Sequence, residues 1–453
     1  MDAQAIVAQA REANVRLVRF MYCDNGGIIR GKAAHVNGLA QRMAEGIGQT
    51  LAMQAFAGID ALAAVAGMGP IGEFRLVPDP ETFVVLPFAP NSAMMLCDLI
   101  AQDQQPWAAC PRTFLKRMMA AAAARRIAVE AAVEHEFYLA RETATGFEPF
   151  DHSLCYSSIG FESSAAIIDD IIHTLELEGI PVEQFVPELG PGQQELSIHH
   201  ANVLRAADTA LIVRDTVRGV ARQHGLFASF AAKPFLDQAG SGAHIHFSLW
   251  GTPGSPEAGR NLLYDAQGSG GLSALGRHAI GGVMRHLPGL LALTCASPNS
   301  YRRLQPHFWS SAYTIYGFDN REGAIRIPST FWGREEATTN LELKPVDHSG
   351  NPYLAMGGLI AAALDGIANE LDPGEPTEID PGVLSDDERA QRGIQRLPQS
   401  LDVALDALQS DTVLLEALGP TLATAYVAVK RLESQYFTGK APDVETLAHF
   451  YKY

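Results

Sequence analysis

The stretch AGSGAHIHFSLW, residues 239–250, carries two histidines, His244 and His246, two positions apart in an apolar run. Residues i and i+2 of a β-strand point to the same face of the sheet, so the two imidazoles are predicted to share one face. The small residues from Gly240 to Gly242 allow a ligand or another backbone to come close. The run fits a half-buried strand with two hydrogen-bonded histidines, and it equally fits a pair of functional imidazoles.

Acidic side chains interrupt other apolar stretches in a similar way. Glu134 and Glu136 lie two positions apart in the predicted strand VEHEFYL, so they share a strand face and repel each other unless a cation joins them. Glu188 and Glu195 flank a Gly-Pro-Gly turn that can fold both back to one point. Glu342 alternates with leucines in TNLELKP. Each motif alone fits an ordinary polar strand edge or loop, and divalent metal ions prefer such groups of carboxylates.

Four arginines follow in two short segments. Arg302 and Arg303 lie in NSYRRLQPHFW, and Arg321 and Arg326 lie in DNREGAIRIP. Guanidinium groups bind phosphate and carboxylate oxygens through paired N–H donors. One site that holds metal, phosphate and carboxylate accounts for the acids, histidines and arginines together, whereas separate surface roles explain each motif only by itself.

Length and composition restrict the class of protein. The chain of 453 residues, 47 % hydrophobic and 19 % charged, is typical of a soluble globular protein with two domains. Its net charge of −17 argues against nucleic-acid binding. The sequence has no apolar run of about eighteen residues, which argues against a membrane span, and its mixed-charge start differs from a signal peptide. Five scattered cysteines are typical of a reducing cytoplasm.

The pattern of apolar residues predicts a small, mostly β first domain and a larger α+β domain. Residues 15–36 are expected to form two strands around a turn at Asp24–Gly27, and the polar segment 102–112 is expected to separate the domains. Residues 164–180 are expected to form an amphipathic helix that stops near Gly179. The tail after about residue 365 is expected to be mostly helical, with an exposed connection over residues 371–393.

Six segments, in their order along the chain, resemble motifs of the glutamine synthetase family: EHEFYL, ELGPGQQEL, KPFLDQAGSGAHIHFS, NSYRRLQP, NREGAIRIP and LELKPVDHSGNPYLA. The similarity extends to CDNGGIIRGK near the start and LPQSLDVALDAL near the end. The resemblance implies an α+β fold, with a β-grasp-like N-terminal domain over residues 1–107. A catalytic domain with a curved antiparallel sheet and helices would follow over residues 108–453. It also implies a cytoplasmic, ATP-dependent ligase built as stacked rings of subunits, a dodecamer, with active sites between neighbouring subunits.

The resemblance also assigns roles to single residues. It implies two sites for Mg²⁺ or Mn²⁺, one held by Glu136, Glu188 and Glu195 and the other by Glu134, His244 and Glu342. The other residues would contact the substrates: His246 and Ser248 the nucleotide, Arg321 and Arg326 the transferring phosphate, Arg303 and Lys344 a carboxylate of the acid substrate, and Gly240 its amino-acid end. The partners that the resemblance implies are small molecules, and neither a nucleic acid nor a membrane is expected as a partner.

Two departures from the family pattern concern the second substrate. Family members that use ammonia carry a glutamate six residues after the arginine that matches Arg303, where this chain has Trp309. The acidic residue expected in the N-terminal domain to bind ammonium is not evident, and Asp60 is only a weak substitute. Ammonium needs a negative site and a base, whereas an amine with an organic substituent needs room and apolar or aromatic walls. The indole of Trp309 is suited to pack on such a substituent or to attract a cation.

The sequence therefore predicts the reaction glutamate + amine + ATP → γ-glutamylamide + ADP + phosphate, with a monoamine favoured and an aromatic amine such as aniline as one option. Three alternatives stay open: an ammonia-using glutamine synthetase, an inactive homologue that serves as a sensor, and a phosphotransferase that acts on another acid. Lys344 supports the last, because the family usually has an arginine there, and Ala239 and Asn340 are further departures near the substrates. The six retained metal-ligand positions argue against the sensor. No tyrosine lies between Val383 and Leu401, which predicts that regulation by adenylylation there is absent.

Overall fold

The computed structural model of the chain describes residues 2–453 and begins with a mixed sheet. Its strands are β1 (Leu17–Cys23), β2 (Ile29–His35), β3 (Ile47–Thr50), β4 (Glu73–Pro78), β5 (Val84–Val85) and β6 (Ser92–Ile100). The order is β2-β1-β6-β4-β3 with β5 on β6, and β1 runs parallel to β6. Helices α1 (Ala3–Glu12) and α2 (Leu39–Glu45) pack on this sheet through Ile6 and Leu39, which share a core with Phe20 and Phe74.

A ten-stranded sheet forms the centre of the remaining chain. Its strands are β7 (Ile127–Thr143), β8 (Gly146–Pro149), β9 (Val182–Pro187), β10 (Gln193–Ile198), β11 (Ala201–Asn202), β12 (Phe227–Ser229), β13 (Ile245–Gly251), β14 (Tyr313–Phe318), β15 (Gly323–Ile327) and β16 (Leu341–Leu343). The main order is β14-β15-β16-β13-β7-β10-β9, and the pairs are antiparallel except β14 with β15. The long β7 pairs with β13 and with β10, so the strands that carry the acidic and histidine motifs lie side by side.

Twelve further helices connect and cover this sheet: α3 (Pro111–Ala123), α4 (Ser158–Leu177), α5 (Val203–Gln223), α6 (Ala274–Thr294), α7 (Ser300–Arg303), α8 (Glu335–Thr338), α9 (Pro352–Ala368), α10 (Asp386–Gln391), α11 (Leu401–Ser410), α12 (Thr412–Leu418), α13 (Pro420–Phe437) and α14 (Pro442–Lys452). Helix α9 is apolar around most of its circumference and is buried in the core shared by the sheet and α6. Within residues 2–453 no single helix has the length and apolarity to cross a membrane, although the pair α12 and α13, bent by 107°, meets both criteria when taken together.

Most of the local predictions are confirmed. The first predicted hairpin is formed by β1 and β2. Gly27 in its turn has φ +83°, and a Cβ at this position would lie only 2.2 Å from the carbonyl oxygen of Ser349. The predicted helix over 164–180 starts earlier than expected because Ser157 caps it, and it ends before Gly179, which has φ +75°. The exposed connection over 371–393 contains the short helix α10.

Glu178, at the end of α4, predicts a pH-dependent stability. Its carboxyl is 5 % exposed, Oε2 accepts a 2.7 Å hydrogen bond from Thr216, and Oε1 has no partner. Burial, with a smaller contribution from Asp215, raises the pKa of Glu178 to about 8. Because the folded-state pKa exceeds the unfolded value, this group stabilises the fold fully below about pH 4.5, and the contribution is lost as the pH rises through about 8.

Glu178→Gln is therefore expected to become more stable than the wild type as the pH rises from about 5 to 9, by about 2–4 kcal/mol at the upper end. Thermal unfolding of both proteins across this pH range measures the difference. The exposed neighbour Glu176→Gln serves as the control and should follow the wild type. Parallel stability curves for Glu178→Gln and the wild type would contradict the prediction.

Candidate active site

The register of five neighbouring strands brings the predicted site residues together. Glu136 on β7 lies opposite Glu195 on β10, and Glu342 on β16 lies opposite both His246 on β13 and Arg326 on β15. Alternate residues of a strand share one face, so the motifs that are separated along the chain meet on the same side of the sheet. The result is a polar surface at the centre of an otherwise apolar fold.

Glu134, His244 and Glu342 form a compact group of possible metal ligands. His244 Nδ1 lies 3.2 Å from Glu134 Oε2 and 3.4 Å from Glu342 Oε1, and one ligand atom from each residue falls within 4.8 Å of the others. Burial, together with the Lys344 ammonium, lowers the pKa of His244, which keeps its imidazole neutral and able to bind a cation. Two carboxylate oxygens and one imidazole nitrogen fit a divalent ion.

The other three predicted ligands gather on the neighbouring side of the same cavity. Glu136 Oε2 accepts the Gly242 N–H at 2.8 Å, and Glu188 Oε1 accepts the Tyr156 hydroxyl at 3.0 Å. Burial and the nearby carboxylates raise the pKa of Glu188 and of Glu195. Carboxylates crowded in this way are stabilised in their charged form by a bound cation. Among the described residues, however, only Glu134, His244 and Glu342 bring three ligand atoms within 4.8 Å of one another, so a second ion held by Glu136, Glu188 and Glu195 stays a prediction.

Three cationic side chains surround the first group. Arg326 Nη1 donates to Glu342 Oε2 at 2.6 Å, and Lys344 Nζ lies 3.4 Å from Glu342 Oε1. Arg303 Nη2 lies 2.9 Å from His244 Nε2. Burial by itself would raise the pKa of Glu342, but Lys344 and the imidazoles of His246 and His244 lower this pKa below its usual value. The site therefore holds Glu342 as a carboxylate and presents guanidinium groups that can bind further anionic oxygens.

One open cavity of ≈ 280 Å³ connects these groups. Among the described residues, its lining includes twelve of the predicted site residues: Glu134, Glu136, Glu188, Glu195, Gly240, His244, Arg303, Trp309, Arg321, Arg326, Glu342 and Lys344. Gly240 packs so closely on Arg303 that an added Cβ would lie 2.7 Å from its Cγ. His246 is outside the lining, but its Nε2 lies 3.1 Å from Glu134 Oε1. Ser248 is also outside, and its Oγ accepts the Trp250 indole N–H at 2.8 Å.

Apolar and aromatic side chains also line the cavity, and they are here named the aromatic wall. They are Tyr156, Val186, Leu189, Phe308 and Trp309. The Trp309 side chain is 59 % exposed, and the Arg321 guanidinium lies 5.9 Å from the centre of its ring. Among the described residues that line the cavity, the carboxylates are those of the two predicted ligand groups: Glu134, Glu136, Glu188, Glu195 and Glu342.

Sequence reasoning missed three residues of this site. Tyr156 binds Glu188, Gln193 donates to both Glu136 and the Gly240 carbonyl, and Glu322 accepts the backbone N–H of Trp309. Tyr156 lies in a segment without strand periodicity. Gln193 begins β10 and lies in a quoted motif, but nothing in its spacing indicated contacts with Glu136 or Gly240. Glu322 follows Arg321 in a quoted motif, but nothing in its spacing indicated a contact with the loop that carries Trp309.

Two family models together match nearly the whole chain: the glutamine synthetase N-terminal domain over residues 1–107 and the glutamine synthetase catalytic domain over residues 108–449. The chain is 36 % identical to the gamma-glutamylpolyamine synthetase GlnA3 of Streptomyces coelicolor, over 100 % of this chain and 96 % of the relative. A solved glutamine synthase homologue superposes with a TM-score of 0.85 at 34 % identity, covering 97 % of this chain and 99 % of its own. A GmaS complex with ADP superposes with a TM-score of 0.84 at 30 % identity, covering 97 % and 98 %.

Proposed function

This chain belongs to the glutamine synthetase family of carbon–nitrogen ligases, which use ATP and divalent metal ions, and we propose that it joins the γ-carboxylate of glutamate to an organic monoamine. The observation that carries this proposal is the aromatic wall that contains Trp309. The family resemblance implies a glutamate at the Trp309 position in members that use ammonia. A relative named for polyamines supports an organic amine as the class of second substrate. The lining offers no additional carboxylate for a second ammonium group, which favours a monoamine over a polyamine.

The proposed reaction proceeds in two steps, phosphoryl transfer and amide formation. An oxygen of the γ-carboxylate attacks the terminal phosphorus of ATP, the new O–P bond forms, and the bond to ADP breaks. The amine nitrogen then attacks the acyl carbon, the C–O bond to phosphate breaks, and the proton that the nitrogen loses is taken up by the released phosphate. An amine that is neutral at about pH 7, such as aniline, already has a free lone pair, so it needs no carboxylate to remove a proton before it attacks.

Individual residues of this chain have distinct tasks in these steps. Arg321 and Arg326 bind the transferring phosphoryl group, and Arg303 binds the carboxylate of glutamate. His246 and Ser248 contact the nucleotide, Lys344 keeps Glu342 charged, and Gly240 leaves room for the amino-acid end of glutamate. The two ligand groups would hold Mg²⁺ or Mn²⁺, and bound divalent ions neutralise charge on phosphoryl oxygens. The aromatic wall excludes water from the acyl phosphate once an amine substituent covers it.

A panel of amines tests the proposal. The value of kcat/KM is measured with glutamate, ATP and Mg²⁺ or Mn²⁺ against ammonia, alkylamines, ethanolamine, anilines and polyamines, and products are identified by mass. We expect a monoamine to exceed ammonia by about tenfold or more, since an apolar substituent gains burial against Trp309. Ammonia as the best substrate would contradict the proposal, and a polyamine as the best would contradict the monoamine assignment. No turnover with any amine would favour the sensor.

We further propose a division into an N-terminal domain of residues 1–107 and a catalytic domain of residues 108–453, as the meeting point of the two family models supports. A ring-shaped homo-oligomer, a dodecamer, is supported by exposed apolar side chains near the cavity mouth, among them Leu154, Tyr156 and Leu189. A cytoplasmic location is supported by the free thiols of all five cysteines.

A further inference from the structure

The loop that carries Trp309, residues 304–312 and here named the Trp309 loop, has a strained backbone. His307, Trp309 and Ser311 have φ values of +64°, +52° and +67°. Each non-glycine residue in this left-handed region costs roughly 1 kcal/mol, so the conformation persists only where contacts hold it. Three such residues lie within five positions at the edge of the active-site cavity. Contacts with the surrounding structure must therefore offset the strain of this loop.

Hydrogen bonds from two consecutive serines hold the end of the loop that follows Trp309. The Ser310 hydroxyl donates to the Arg303 carbonyl at 2.8 Å, and the Ser311 hydroxyl donates to the Gly323 carbonyl at 2.7 Å. These bonds fix the residues that follow Trp309. The position of Trp309 itself depends on a different contact.

Glu322 provides that contact from the turn between β14 and β15. Its Oε1 accepts the backbone N–H of Trp309 at 2.9 Å, and its own N–H donates to Asn320 Oδ1 at 3.0 Å. The Glu322 side chain is 4 % exposed, and its second oxygen, Oε2, is buried without a partner. Burying a carboxylate with one unpaired oxygen costs free energy, so the Glu322 side chain is held beside Trp309 against a penalty.

Arg321, the preceding residue, contacts the same tryptophan from the side of the ring. Its guanidinium lies 5.9 Å from the centre of the indole, within the range of a cation–π contact. Two consecutive residues therefore contact Trp309 at two points, Glu322 at the backbone and Arg321 at the ring. This pair fixes both the position and the orientation of the indole in the cavity wall.

We propose that Glu322 is a positioning residue for the amine substrate, which holds the backbone of Trp309 so that the indole forms one wall of the amine site. The proposal rests on the proposed function, because it concerns the same wall. Glu322 does not line the cavity and acts only through Trp309. It thus determines how well an amine substituent is bound, and has little effect on glutamate or ATP.

Three variants separate this role from a general structural one. Glu322→Ala removes the acceptor, and Glu322→Gln keeps an amide oxygen in its place while removing the charge. Asp319→Asn is the matched control, because Asp319 lies in the same turn but accepts from Ser329 rather than from the Trp309 loop. For each variant, KM and kcat are measured for the amine, glutamate and ATP.

Glu322→Ala is expected to raise KM for the amine about tenfold, with kcat and the KM of glutamate and ATP changed less than about threefold. Glu322→Gln and Asp319→Asn should stay within about threefold of the wild type throughout. An unchanged amine KM in Glu322→Ala, or an equal loss in Glu322→Gln, would overturn the proposal. The first result would show that the contact has no effect, and the second that charge rather than the hydrogen bond matters.

Acrylamide quenching of tryptophan fluorescence tests the same contact without turnover. The fluorescence of Trp309 is obtained by subtracting the fluorescence of the same protein carrying Trp309→Phe from that of each protein. Glu322→Ala should increase quenching of this signal, while Glu322→Gln should leave it unchanged; identical quenching in Glu322→Ala and the wild type would overturn the proposal. Because this readout needs no amine, an enzyme that prefers ammonia would contradict the proposed function while the quenching still decides the role of Glu322.

Discussion

Replacing Glu342 by glutamine is expected to lower kcat/KM for amide formation by about 1000-fold or more while the protein stays folded. Glu342 is fully buried, accepts from Arg326 at 2.6 Å and lies 3.4 Å from both Lys344 and His244. Glutamine keeps the volume and one acceptor oxygen but removes the negative charge. A divalent ion then loses an anionic ligand, and the buried Lys344 and the partly buried Arg326 lose their counter-ion.

Steady-state kinetics over a range of Mg²⁺ and Mn²⁺ concentrations, together with thermal unfolding, measure this effect. Either metal should raise the Tm of the wild type and should do so less for Glu342→Gln, because ligand binding to the folded state stabilises it. Glu336→Gln is the matched control, an acid on the exposed helix α8 a few residues earlier in the chain, and should behave as the wild type. Near-normal activity of Glu342→Gln at saturating metal would contradict the assignment of Glu342 as a ligand.

Trp309→Glu is expected to change the ratio of kcat/KM for ammonia to that for the preferred monoamine by about 100-fold in favour of ammonia. The new carboxylate supplies a negative group for ammonium and a base for its proton, which contributes about tenfold or more. The loss of an aromatic surface weakens binding of the amine substituent by about 1.5 kcal/mol, or roughly tenfold. The two effects act on different substrates and multiply in the ratio.

The same amine panel, applied to the variant, measures this ratio. Trp332→Glu is the control, because Trp332 is 99 % exposed, lies outside the cavity lining, and receives the same change of side chain. Its ratio should equal that of the wild type. If Trp309→Glu leaves the ratio unchanged, Trp309 does not determine the choice between ammonia and an organic amine.

Local structure was predictable where it depends on neighbouring residues. Glu134 and Glu136 were expected to share a face because they lie two positions apart in a strand, and β7 places both in the lining of the cavity. The hairpin around Gly27 and the helix that stops before Gly179 follow from turn and cap residues in the same way. The meeting of the acids with His244 was expected only from the resemblance to a family, since no local pattern carries that information.

The amino-acid sequence by itself determined which residues face the same side of each strand and, through its motifs, the family to which the chain belongs. Only the tertiary structure decided that Tyr156 binds Glu188, that Glu322 holds Trp309, and that Ser248 lies outside the cavity lining. The physical reason is the range of the forces involved. Side-chain alternation is set by the backbone of a few adjacent residues, whereas strand register and loop contacts depend on pairings between segments far apart in the chain.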